Sequence, residues 1–168
     1  MNIKTFLILI FLSVNLTFSQ KNYPSKKELS QIFKKSIKQD KRNKISVGNN
    51  NWISSNKDSL YYKSDTLKIF NYSFKEKKHE FCQTVNWTFY RKNAFISNES
   101  EHCDEPPTSK ITSNKDYYTI KIVEKDSLFI ELYNFKKIIE IFKLTDLTKN
   151  GEKIVLTFVR QKYDRNRT

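Results

Sequence analysis

Between residues 66 and 161 one device recurs: short runs in which apolar and polar side chains alternate, joined by a few residues of turn chemistry. Alternation with period two puts every second side chain on one face of an extended chain, so such runs must share an apolar interior. The runs fall at 66–74, 80–90, 94–103, 117–124, 127–134, 137–144 and 153–161, all rich in Ile, Tyr, Phe, Val and Thr. These residues suit a pleated surface. Lys92-Asn93, Lys125-Asp126, Asn134 to Lys136 and Asn150-Gly151 supply turns; Asn and Gly tolerate the left-handed backbone of a tight reversal. A shorter strand is predicted around Trp52, entered from the polar turn of GNNNWISS at 48–55, and the period of two is expected from Asp58 onward. The longest connection, 104–116, holds Pro106 and Pro107 and is predicted to be a loop without pairing. Short links favour antiparallel neighbours. Exposed sheet edges invite aggregation, so eight such strands should close on themselves or fold into two packed sheets. The expectation is an all-β antiparallel meander closing into a roughly eight-stranded barrel, with one N-terminal amphipathic helix.

That helix lies in a segment of different composition. Residues 21–44 hold nine basic and two acidic side chains. Ser25 and Glu28 have capping-box spacing, with Pro24 just ahead, which marks a helix start. Leu29, Ile32, Phe33 and Ile37 then fall on one stripe, with Lys27, Lys34, Lys35, Lys38 and Lys41 opposite. Four apolar residues bury too little area to anchor a helix on lipid by themselves. The stripe is expected to pack on the body of the domain; peripheral contact of the basic face with an anionic membrane is the alternative.

Residues 1–19 read as a secretory leader. Lys4 is the positive start, Phe6 to Leu12 the apolar run, and Thr17 and Ser19 the small residues before a cleavage point at Ser19-Gln20. The apolar run is shorter than the ~20 residues of a spanning helix. Export, to a periplasm or beyond the cell, is therefore expected, and with it an oxidising environment.

Both cysteines, Cys82 and Cys103, lie at the ends of one candidate hairpin. With Lys92-Asn93 as a two-residue turn, Tyr90 faces Phe95, Phe89 faces Ile96, Trp87 faces Asn98, and Cys82 faces Cys103. Opposed Cβ atoms in an antiparallel pair lie about 4.5–5.5 Å apart, close to disulfide reach. A Cys82–Cys103 bridge on the polar face is expected, worth about 3 kcal/mol. A bulge would shift the pairing by one and set the cysteines on opposite faces. A zinc site with His79 and His102 is the sharper alternative, but His102 and Cys103 are strand neighbours that should diverge; two unreactive thiols are the third.

Chemistry is sparse. No Ser nucleophile motif and no His-Glu-x-x-His pattern occurs, and the adjacent acids Asp104 and Glu105 or the alternating Glu99 and Glu101 read as surface residues. The chain is read as non-enzymatic, with no catalytic residue, cofactor or metal. Its 31 basic and 18 acidic residues give +13, but arginines are few and no nucleic-acid motif accompanies them, so no nucleic-acid partner is expected.

Three stretches carry a resemblance: Gly48 to Trp52, NWTFYRKNAF at 86–95, and YNFKKIIEIFKLTDLTKNGEKIVLTF at 133–158, where Ile141 to Thr145 leads into Ile154 to Phe158. Over residues 52–158 the chain resembles the lipocalin-like domains of exported proteins of Bacteroidetes-type bacteria. It departs in its opening, where the Trp follows the Gly by four residues rather than two. The resemblance implies an eight-stranded barrel, no established catalytic residues, and binding of small hydrophobic molecules. The chain then divides into the leader at 1–19, a basic helix and linker at 20–48, a lipocalin-like barrel at 49–163 and a disordered tail at 164–168. Inward positions expected from the alternation include Ile69, Val85, Ile96, Ile122, Leu128, Ile141, Leu156 and Phe158, with Trp87, Phe89, Tyr118, Ile120, Ile130 and Leu132 as walls of any ligand cavity. An eight-stranded barrel either holds one small ligand or is filled by its own side chains. The filled case would make this an envelope structural or protein-interaction domain.

Overall fold

The computed structural model describes residues 23–37, 51–71, 81–103, 105–151 and 153–163. Residues 1–19, Lys38, Lys41, Gly48, His79, Asp104 and residues 164–168 lie outside them. Among the described residues a helix, α1 (Lys26–Lys35), precedes nine strands: β1 (Trp52–Ser55), β2 (Thr66–Asn71), β3 (Gln83–Arg91), β4 (Ala94–Glu101), β5 (Thr108–Ser109), β6 (Tyr117–Glu124), β7 (Leu128–Asn134), β8 (Lys137–Asn150) and β9 (Lys153–Tyr163). Eight of them close into an antiparallel barrel, and β5 is an additional short strand on the edge of β4. The pairing of β5 corrects the expectation of an unpaired loop at 104–116. A second correction falls just after Asp58. There a 3-10 turn at Lys57–Ser59 and a one-turn helix, α2 (Leu60–Lys63), interrupt the strand pattern. Asp58 and Ser59 take φ of 54° and 61°, and this left-handed pair reverses the chain before β2.

The ring is not a simple meander. Its order is β2-β1-β3-β4-β6-β7-β8-β9, closing on β2. β1 sits between β2 and β3, so those two flank β1 rather than each other. A connection as long as 72–82 reaches easily across two strand spacings, about 10 Å, which frees the order from the sequence.

The β3–β4 hairpin turns at Lys92-Asn93, and Arg91 faces Ala94 as expected, but a bulge at Tyr90 shifts everything beyond it by one residue. Phe89 now faces Phe95, Trp87 faces Ser97 and Gln83 faces Glu101. Phe95 is fully buried and Ile96 only half-buried, the reverse of the expected phase. The disulfide between Cys82 and Cys103 forms nonetheless, with Cα atoms 5.0 Å apart. Both cysteines stand outside the strands, and Cys82 pairs through its carbonyl with His102 N at 2.8 Å. Freed from strict alternation, the sulfurs can meet. Bonded sulfur leaves no thiolate for a metal or for catalysis.

A similar shift operates on β8. A register break opposite Leu132 and Tyr133 makes both Ile139 and Glu140 buried. Beyond it Phe142 and Leu144 enter the core while Ile141 is half-buried, which corrects the inward placement of Ile141.

Helix α1 starts where capping predicts: Ser25 Oγ accepts from Glu28 N at 3.2 Å. Leu29 and Phe33 are fully buried and Ile32 nearly so, in one cluster with the barrel interior. Phe33 stacks on Phe89 at 4.7 Å and meets Trp52 edge-on at 5.6 Å. Trp52 Nε1 donates to Ser36 Oγ at 2.8 Å. A Lys149–Glu28 ion pair ties the helix to the β8–β9 hairpin. The stripe is thus buried in the barrel, where α1 closes one end. Burying a Phe in this way stabilises by roughly 2–3 kcal/mol.

Candidate functional site

The inward faces of the strands carry an aromatic column away from the helix. Phe33 stacks on Phe89, Phe89 meets Phe95 at 5.3 Å, and Phe95 stacks on Trp87 at 4.5 Å and on Tyr118 at 5.3 Å. Below Trp87 the interior is filled. Above it the barrel opens into a cleft of about 1160 Å³. Its walls are Trp87, Phe95, Tyr118, Leu132 and Ile139, and its rim comes from α2 and residues 110–116. The opening has a structural cause. β4 pairs with β6 only through Ala94, Phe95 and Ile96, while Ser100 and Glu101 pair with β5 instead. Between those pairings the two barrel strands part, and Ser97, Asn98 and Glu99 look into the gap.

A polar network crosses the cleft wall. The Arg160 and Glu140 side chains are each 6% exposed and form an ion pair through Arg160 Nη1. Arg160 Nη2 donates to Tyr61 O at 2.7 Å, Nε to Ser64 O at 3.3 Å, and the guanidinium lies 5.0 Å from the centre of the Phe142 ring. Taking two charges from water costs several kcal/mol per ion; these additional partners offset much of that cost. The result is positional: Arg160 pins α2 and the start of β2 to β9, reinforced by Arg160 N to Asp65 O at 2.8 Å. Tyr61, so held, accepts from Trp87 Nε1 at 3.0 Å. Burial raises the Tyr61 hydroxyl well above its ordinary pKa of 10.0, against the smaller lowering effects of the Trp87 bond and the Arg160 charge. Tyr61 therefore stays neutral. At the rim Tyr62 donates to Glu99 at 2.7 Å, and Lys110 stands 3.5 Å from the same oxygen.

Of the expected cavity residues, the structure brings Trp87, Tyr118 and Leu132 together on the cleft. Phe89, Ile120 and Ile130 lie in the filled core instead. Phe95, Glu99, Glu140 and Arg160 went unrecognised. Glu99 and Glu140 alternate in sequence as surface residues do; only the two bulges turn them inward. Arg160 closes the otherwise apolar inward series Leu156, Phe158 on β9, a signal that could have been read. His102 is half-buried beside the disulfide, and Glu105 is exposed. Among the described residues no group of three or more potential metal ligands occurs. Compared with protein-family models, with curated proteins and with solved structures, the chain matches none.

Proposed function

We propose that this chain is an exported lipocalin-like barrel that binds a small, largely apolar molecule in the cleft at its open end. The observation that carries the reading is the fate of the aromatic column: α1 covers it at one end, and at the other, among the described residues, it ends in half-buried Tyr118 at the floor of the cleft, with Trp87 and Phe95 buried just beneath. Small-molecule sites are typically about 300–1,000 Å³, mainly apolar, with a few oriented polar groups. This cleft has comparable room but a lining as much polar as apolar, and Arg160, Glu140 and Tyr61 are its oriented groups. The favoured ligand has a flat or branched apolar body to lie against the aromatic wall, and one polar end to meet that network. Export is supported by the leader pattern at 1–19 and by the disulfide. Among the described residues no helix is long and apolar enough to cross a membrane.

Native mass spectrometry of protein taken from the cells that make it tests the reading. The expected result is a retained small molecule that the cleft-filling variant Ser97→Trp loses. Ligand-free protein that also fails to bind Nile red, or equal binding by Ser97→Trp, would overturn it.

A further inference from the structure

Around the open end of the barrel stand large apolar side chains that the fold leaves largely exposed. Ile111 is 92% exposed, Phe135 79%, Leu60 52% and Tyr117 43%. They come from different elements: α2, the β4–β6 connection, the β7–β8 turn and the start of β6. Ile111 lines the cleft and Leu60 lies between Ser59 and Tyr61, which also line it, while Asn134 Nδ2 donates to the carbonyls of Asn114, Lys115 and Tyr117 at 3.3, 3.2 and 2.7 Å. That fastens the Phe135 turn to the rim segment bearing Ile111 and Tyr117. Phe135 is the least expected of them. It holds a left-handed backbone, φ 53°, where Asn or Gly would sit with less strain, at a cost of about 1 kcal/mol. A strained, exposed Phe adds little to the fold, which makes it a candidate for contact with a partner.

Each apolar tip has exposed lysine beside it. Lys57 and Lys63 bracket Leu60, Lys110 precedes Ile111, Lys115 is near Tyr117, and Lys136 follows Phe135. The carboxylates nearest the cleft are partly engaged: Glu99 with Tyr62 and Lys110, and Asp116 with Ser113. Asp58 and Asp65 are exposed. Apolar and aromatic tips flanked by lysines match the two layers of an anionic bilayer surface, acyl boundary and negative headgroups. We propose that the open end docks on an anionic lipid bilayer, with Leu60, Ile111 and Phe135 entering the interface and the mouth of the cleft facing the lipid. This goes beyond ligand binding and is tested without any ligand.

The experiment is co-sedimentation of the full oxidised chain with vesicles of phosphatidylglycerol and phosphatidylethanolamine, and separately of phosphatidylcholine. Binding to the anionic vesicles is expected, with about a tenfold fall in partition for Ile111→Ser with Phe135→Asn. That variant should melt no lower than the parent. Lys27→Glu with Lys34→Glu on the exposed face of α1 should change partition less than about twofold. No binding, equal binding to phosphatidylcholine, parental binding by the rim variant, or as large a loss from the helix variant overturns the proposal. So does a dimer abolished by the rim variant, which would assign the tips to a second copy.

Discussion

At the closed end of the barrel Phe33, Phe89 and Trp52 pack ring against ring beneath α1, and the one indole N–H there is satisfied by Ser36 of the helix. At the open end the same column runs out at Trp87 and Tyr118, and polar groups gather where a second plug would be: Arg160, Glu140 and Tyr61. One end is built as a domain core is built, by apolar area. The other is held by directed bonds around an unfilled space. The difference teaches where stability and function reside. Apolar packing supplies stability without needing precise bond geometry, whereas a charged network buried at a cleft is a poor source of stability but a good source of fixed geometry.

Truncation separates the ends most sharply. Phe33→Ala should cost about 4 kcal/mol in urea unfolding, while Tyr118→Ala, at the half-buried wall, should cost about 1 kcal/mol. Equal losses would erase the distinction. Next in size is the ion pair. Arg160→Met leaves Glu140 buried and unpaired and should cost about 3 kcal/mol, yet Arg160→Met with Glu140→Leu should return close to the parental midpoint. A double variant as unstable as the single one would make the network a stabilising element after all. Removing the bridge with Cys82→Ser and Cys103→Ser should cost about 2–3 kcal/mol, measured against the parent with and without reductant.

The smallest effect is a pH dependence. The folded Tyr61 pKa lies above its unfolded value near 10. Its stabilising contribution is then complete below pH 10 and is lost as the unfolded chain ionises above it. The slope is about 1.4 kcal/mol per pH unit for this one proton. Tyr61→Phe should remove that part of the alkaline decline and cost about 1 kcal/mol at neutral pH, because Trp87 loses its acceptor. An unchanged alkaline limb would mean that Tyr61 titrates freely.

The strands, the helix and the disulfide were legible because each is written in local pattern: alternation along 117–124 and 128–134, the stripe of Leu29, Ile32 and Phe33, and two cysteines at one hairpin end. The cleft was less legible. Trp87, Tyr118 and Leu132 could be picked as inward, but Phe95, Glu99 and Glu140 face inward only because single-residue bulges near Tyr90 and Ile139 reverse the phase. A bulge adds one residue and leaves composition untouched, so period counting cannot find it. The insertion of β1 between β2 and β3 was hidden for a different reason. A long connection carries no record of which strand it passes.

The chain has two tryptophans, and each marks one end: Trp52 bonded to the helix, Trp87 to Tyr61 on the cleft wall. Their indole N–H resonances in a ¹⁵N-labelled sample, titrated with Nile red, test the central claim directly. The account requires the Trp87 signal to shift and saturate while the Trp52 signal stays in place. Movement of Trp52 alone, or of neither at saturating probe, would contradict it.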